Sequence, residues 1–103
     1  MMKRNIGKHT SADDAKMNIL AFLAQHCRDA SALAAKSTIG YAAYPGYNFK
    51  SPQGAAFAAA KIVRDLENEG LVQYDSRSVP IFRRGHYITA KGLAAHAAAT
   101  VLA

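Results

Sequence analysis

Ser51-Pro52 opens a stretch of helical periodicity that Gly70 closes, and Leu71-Val72-Gln73-Tyr74 follows at once with the alternation of a half-exposed strand. Serine can cap a helix with its hydroxyl, and proline at the first helical position gives up no hydrogen bond that the helix needs. Glycine past the last turn stops the helix. A helix of about 52–69 therefore feeds straight into a strand, with no linker to let the two move apart. A second alternating run, Gly85-His86-Tyr87-Ile88-Thr89, lies beyond a break at Asp75-Ser76-Arg77-Ser78-Val79-Pro80. The two runs form a hairpin over about 71–89, with Pro80 at its edge or inside its loop.

Upstream, Ser11 and Asp14 resemble a capping box with Asp in place of Glu, and Ala15, Ile19, Leu20, Phe22, Leu23 and Cys27 recur at helical spacing. They predict a first helix from Ala12 to about Arg28. Asp29 is placed to cap a second helix through Ala30-Ser31-Ala32-Leu33-Ala34-Ala35-Lys36. Gly40 weakens its continuation, so that Thr38 to Tyr44 could be a separate short helical turn, and Pro45-Gly46 ends whatever precedes it. Tyr41, Tyr44, Tyr47 and Phe49 crowd this connection, and their expected role is to fill space between helices. A last amphipathic helix is expected over Ala90 to Leu102, with Leu93, Ala94, Ala97, Ala98 and Val101 inward. The fold class is mainly α with a small β-hairpin (α+β), in the order α-α-α-β-β-α. A flexible basic arm, 1–10, precedes one domain, 11–103.

Charge narrows the function. The net charge is +6, and no acid occurs between Ala30 and Arg64 or from Ser76 to the end. Such segregation can make one positive face for phosphates, though solubility alone also uses charge. No apolar run approaches the roughly 20 residues that span a bilayer, and the N-terminus lacks the apolar core of a secretory signal. A cytoplasmic protein is the expectation. The four histidines lack metal-binding spacing, and the single cysteine, Cys27, lies on an apolar stripe. There is no phosphate-cradling glycine loop and no catalytic set, so no cofactor, no metal and no enzymatic activity are expected.

The order of elements is that of a winged helix-turn-helix. Leu66-Glu67-Asn68-Glu69-Gly70-Leu71-Val72 resembles the end of the recognition helix and the first wing strand of the MarR-like winged helix regulators. Tyr87-Ile88-Thr89-Ala90-Lys91-Gly92 resembles their second wing strand and the cap of the next helix. The resemblance covers residues 51 to about 96. It implies that Lys61 points into the major groove, where that family often has a basic residue. Ala58 departs from the small hydroxyl residue common there, and the long flanking dimerisation helices of that family are missing.

The expected function is sequence-specific binding of double-stranded DNA by a small transcriptional regulator, acting as a homodimer on two half-sites. The expected contacts are Lys50, Ser51, Gln53, Phe57, Lys61 and Arg64 from the third helix, Arg77, Arg83 and Arg84 from the wing, and His86 in support. Lys61 is also four residues from Asp65, the spacing of a local ion pair on a solvated helix face. The alternative is a protein-interaction module, an adaptor or inhibitor on the same scaffold, which exposed Tyr41, Tyr44, Tyr47 and Phe57 would favour.

Overall fold

The computed structural model describes residues 10–77 and 84–102. Helix α1 spans Ala12–His26, α2 Lys36–Ala43, α3 Pro52–Asn68 and α4 Ala90–Leu102, and strands β1 (Val72–Asp75) and β2 (Gly85–Ile88) pair antiparallel. This is the mainly helical α+β arrangement expected. Of the arm expected over 1–10, residues 1–9 lie outside the described residues, as do Pro80 and Arg83.

The Ser11 and Ser51 caps read from the sequence are present. Asp14 N–H donates to Ser11 Oγ at 3.0 Å, and Gly54 N–H donates to Ser51 Oγ at 3.2 Å. Thr89 serves twice: its hydroxyl donates to the Gly70 carbonyl at 2.7 Å and accepts from Gly92 N–H at 3.0 Å. It thereby ties the start of α4 to the turn that ends α3. That turn requires Gly70, whose φ of +79° is costly for any residue with a Cβ.

The second helix is not where local propensity puts it. Residues 30–36 were expected to be helical, yet the chain turns and then runs extended to Ala35, and only Lys36 belongs to a helix, as the first residue of α2. Asp29 does accept from Ser31 N–H at 2.9 Å, but this bond closes a local turn rather than a helix cap. Ala34 then exchanges two 2.9 Å backbone hydrogen bonds with His86, and the Cys27 carbonyl accepts from Ile88 N–H at 3.0 Å. Pairing with β2 outweighs the helix preference of an Ala-rich segment, a difference of only tenths of a kcal/mol per residue, roughly, for ordinary side chains. Strand β2 consequently has neighbours on both sides.

The actual α2 covers most of the short helical turn expected at 38–44 and reaches back to Lys36, running through Gly40, which local propensity marked as weakening continuity. Its role is packing: α2 crosses α3 so closely that a Cβ on Gly40 would collide with the Ala55 carbonyl. Ala55 and Ala59 are fully buried on the facing side of α3, and Ile39 and Ala43 are fully buried on α2. Small residues let the two helices meet, while Ile19 and Leu23 of α1 and Val63, Leu66 and Ile88 fill the rest of the core. Two polar bonds lock α1 down, from Asn18 Nδ2 to the Ala43 carbonyl at 3.0 Å and from Lys16 Nζ to Glu69 at 2.9 Å. On α4 the inward residues are Gly92, Leu93 and Ala95, whereas Ala94, Ala97 and Ala98, expected to face inward, are exposed.

Gly40→Ala should destabilise the protein by about 1–3 kcal/mol through overpacking, despite alanine's better helix propensity. Gly54→Ala, where a Cβ meets only ordinary contacts, should be neutral or stabilising. Urea denaturation followed by circular dichroism measures both, and a Gly40→Ala protein as stable as the parent would contradict the packing described.

Candidate nucleic-acid interface and the cleft beside it

Helix α3 has two unlike faces. Ala55, Ala59, Val63 and Leu66 are buried, so the residues offset from them by half a turn must face solvent. Gln53, Phe57, Lys61 and Arg64 do so, and recur at spacings of three and four, with Lys50 and Ser51 exposed just before the helix. Six of the expected contact residues are thus brought onto one end and one face of one helix. Phe57 is the unusual member, being 86% exposed at the centre of this stripe.

Lys61 Nζ lies 3.1 Å from Asp65, with both side chains largely in water. Pairs of this kind contribute only about 0.3–0.5 kcal/mol, so Asp65 leaves Lys61 available to a stronger anionic partner. Arg64 and Lys50 form no ion pair among the described residues. The short connection before α3 is held by Phe49, which meets Tyr41, Tyr44 and Tyr47 edge-on with ring centroids 4.7–6.2 Å away. Tyr44 and Tyr47 are half-buried in this cluster, as expected of space-filling aromatics, whereas Tyr41 is exposed.

The hairpin differs from the sequence expectation in two ways. Arg77, assigned to grip a backbone from the wing, is held at the base of the hairpin. Its Nε is 3.4 Å and its backbone N–H 2.8 Å from Asp75 Oδ1, and these bonds hold the Asp75 carboxyl below its ordinary range. The guanidinium remains exposed but is partly neutralised. His86, assigned to assist the wing, is only 3% exposed and cannot reach a ligand lying across the hairpin surface. The reason is what packs on the ring: Tyr74 lies against it and Glu67 of α3 reaches its Nε2, while the backbone of β2 is paired with β1 on one side and Ala34 on the other.

His86 instead closes a second feature that nothing in the sequence pattern signals. Its Nε2 lies 3.3 Å from Glu67 Oε2, and Tyr74 packs against its ring with centroids 5.0 Å apart. The imidazole lines a cleft of about 470 Å³ between the start of α2, the end of α3 and the hairpin, together with Lys36 and Arg84. Burial lowers the imidazole pKa; Glu67 opposes the shift, and the charge of Lys36 adds to it.

Comparison with protein-family models, curated proteins and solved structures finds no match for this chain. Among the described residues no helix is long and apolar enough to cross a membrane, and no group of three or more His, Cys, Asp or Glu side chains could hold a metal. Cys27 is buried at the cap just past the end of α1, and desolvation raises its thiol pKa, which disfavours the thiolate.

A histidine whose folded pKa lies below its unfolded value binds fewer protons in the native state. Its stabilising contribution is whole above about pH 6.5, the ordinary imidazole value, and is lost as pH falls through the folded value. The shifted Asp29, Asp75, Cys27 and Lys16 all titrate outside this window. The urea midpoint should therefore fall between about pH 7.5 and pH 5 in the parent and fall less in His86→Gln, which cannot titrate. An equal fall in both would remove His86 as the cause.

Proposed function

We propose that this protein is a winged helix-turn-helix module that binds double-stranded DNA and regulates transcription, with α3 as its recognition helix. The observation that carries the reading is the exposed Lys50, Gln53, Phe57, Lys61 and Arg64 stripe on a helix whose opposite face is core. An α-helix fits the major groove, where Gln53 can pair with an adenine edge, Phe57 can touch a thymine methyl, and Lys61 and Arg64 can reach guanine or phosphate. The amides beyond Ser51 offer a further phosphate contact. The order α1, Ala34 bridge, α2, α3, hairpin also supports the winged arrangement, with β1 and β2 as the wing's base.

One such module reads few base pairs, so a homodimer on two half-sites would supply the remaining specificity. Ala94 and Ala97, exposed on α4 beside Ala21 and Gln25 of α1, and the exposed Ala98 give two copies a surface that permits close helix approach. A second reading, a protein-interaction module, is favoured by the same Phe57 and by the exposed Tyr41 and Tyr74. Aromatic anchors ringed by polar groups are what protein interfaces use, and the basic stripe would then meet an acidic partner.

Fluorescence anisotropy with a mixed duplex pool separates the two. If α3 and the hairpin neutralise about four phosphates, affinity should fall with a log–log salt slope of roughly −3.6, more than a hundredfold weakening between about 50 and 200 mM salt. The Lys61→Ala, Arg64→Ala pair should weaken binding and flatten the slope by about 1.8. A folded protein that does not bind the pool at low salt would favour the protein partner.

A further inference from the structure

Helices α1 and α4 lie side by side and leave a groove of about 620 Å³ between them. Ala24 is buried and Leu93 half-buried in it, while Ala21 of α1 and Ala94 and Ala97 of α4 are exposed along it. None of the stripe residues of α3 borders this groove. Small apolar walls alone would not say what covers them. The charges along α1 do.

Seven residues are nearly two full turns of an α-helix, so Asp14 and Ala21 stand on one side of α1, and both are exposed. Arg28 follows seven residues after Ala21, just past the helix end, and folds back to donate from Nη1 to the Ala24 carbonyl at 3.2 Å. Its side chain thereby borders the same groove. The face is acidic at one end, where Asp13 adds to Asp14, and basic at the other. Neither Asp14 nor Arg28 forms an ion pair among the described residues.

That pattern selects its partner. DNA, or a uniformly acidic protein, would meet Asp13 and Asp14 with like charge, which disfavours contact. Two copies of a chain of net charge +6 repel one another and can meet only where the local charges balance. A two-fold contact must be self-complementary, with each group facing its opposite across the axis. An acid and a base seven residues to either side of Ala21 satisfy this when the two helices run antiparallel.

We propose, on the footing that the protein is a homodimer, that the α1–α4 groove is its interface. A two-fold axis at Ala21 sets the two α1 helices antiparallel and pairs Asp14 of each copy with Arg28 of the other. The alanines at the axis let the backbones approach closely, and Leu93 loses its remaining exposure. The α3 stripe of each copy stays uncovered by this contact.

The test is sedimentation velocity of the full chain over a range of concentrations, without DNA. The parent should show a concentration-dependent monomer–dimer equilibrium. Asp14→Arg and Arg28→Glu each turn both pairs into like-charge contacts, and each should weaken the dimer about tenfold or more. Mixed in equal amounts, the two variants should recover a dimer of near-parental affinity, because every reversed charge then faces its opposite. Loss of folding could not produce that recovery. If either variant loses its helical circular dichroism, Ala21→Trp decides, since a bulky ring at the axis should abolish the dimer. A parent that stays monomeric would overturn the proposal and leave the groove to a different protein. A dimer indifferent to both reversals, or no recovery on mixing, would overturn it by placing the contact elsewhere. DNA binding by α3 is measured separately, so a monomer that binds duplex sinks the interface alone, and a dimer that does not bind sinks the DNA reading alone.

Discussion

The crossing of α2 over α3 is the contact on which the rest of the structure depends. Gly40 lies against the Ala55 carbonyl with no room for a methyl group, and Ala59 continues the small face of α3. Because this side of the helix is used up by close packing, the side carrying Gln53, Phe57, Lys61 and Arg64 has nowhere to go but outward. A bulkier inner face would push the helices apart and open the core that Ile39, Val63 and Leu66 complete. The fixed backbone of α3 is also what would let its outer side chains act together rather than as a diffuse charge.

A second constraint comes from the backbone of β2. Its pairing with β1 on one side and Ala34 on the other anchors the hairpin to the segment leading into α2. The same pairing fixes where His86 stands, with Glu67 and Tyr74 packed against its ring, and places the start of α2 beside it. Thr89 and Gly70 complete the frame by fastening α4 to the end of α3. Packing and polar bonds together thus generate both an exposed helical face and a polar recess.

Features with a local physical cause were legible in the sequence. Ser11, Ser51-Pro52 and Gly70 mark real helix ends because caps and left-handed turns depend on a few neighbouring residues. The outward stripe of α3 was legible because the buried positions between Ala55 and Leu66 fix its phase. What depends on distant partners was not. Nothing near Ala34 announces that it pairs with His86 some fifty residues on, so the segment 30–35 reads as helix by propensity and is not one. The same blindness hid the burial of His86, and it made Gly40 resemble a break when it is a contact. The local tie of Arg77 also escaped the sequence: Asp75, two residues before it, is 9% exposed and accepts from its backbone N–H and Nε, while the guanidinium stays exposed.

The most direct test of the account is a map of amide and side-chain NMR shifts on adding duplex DNA. The account predicts that the largest changes run along Lys50, Gln53, Phe57, Lys61 and Arg64, with the buried Ala55, Ala59 and Val63 side unmoved. Changes centred instead on the Ala94, Ala97 and Ala98 face of α4, or absent from α3, would contradict the claim that α3 is the reading helix.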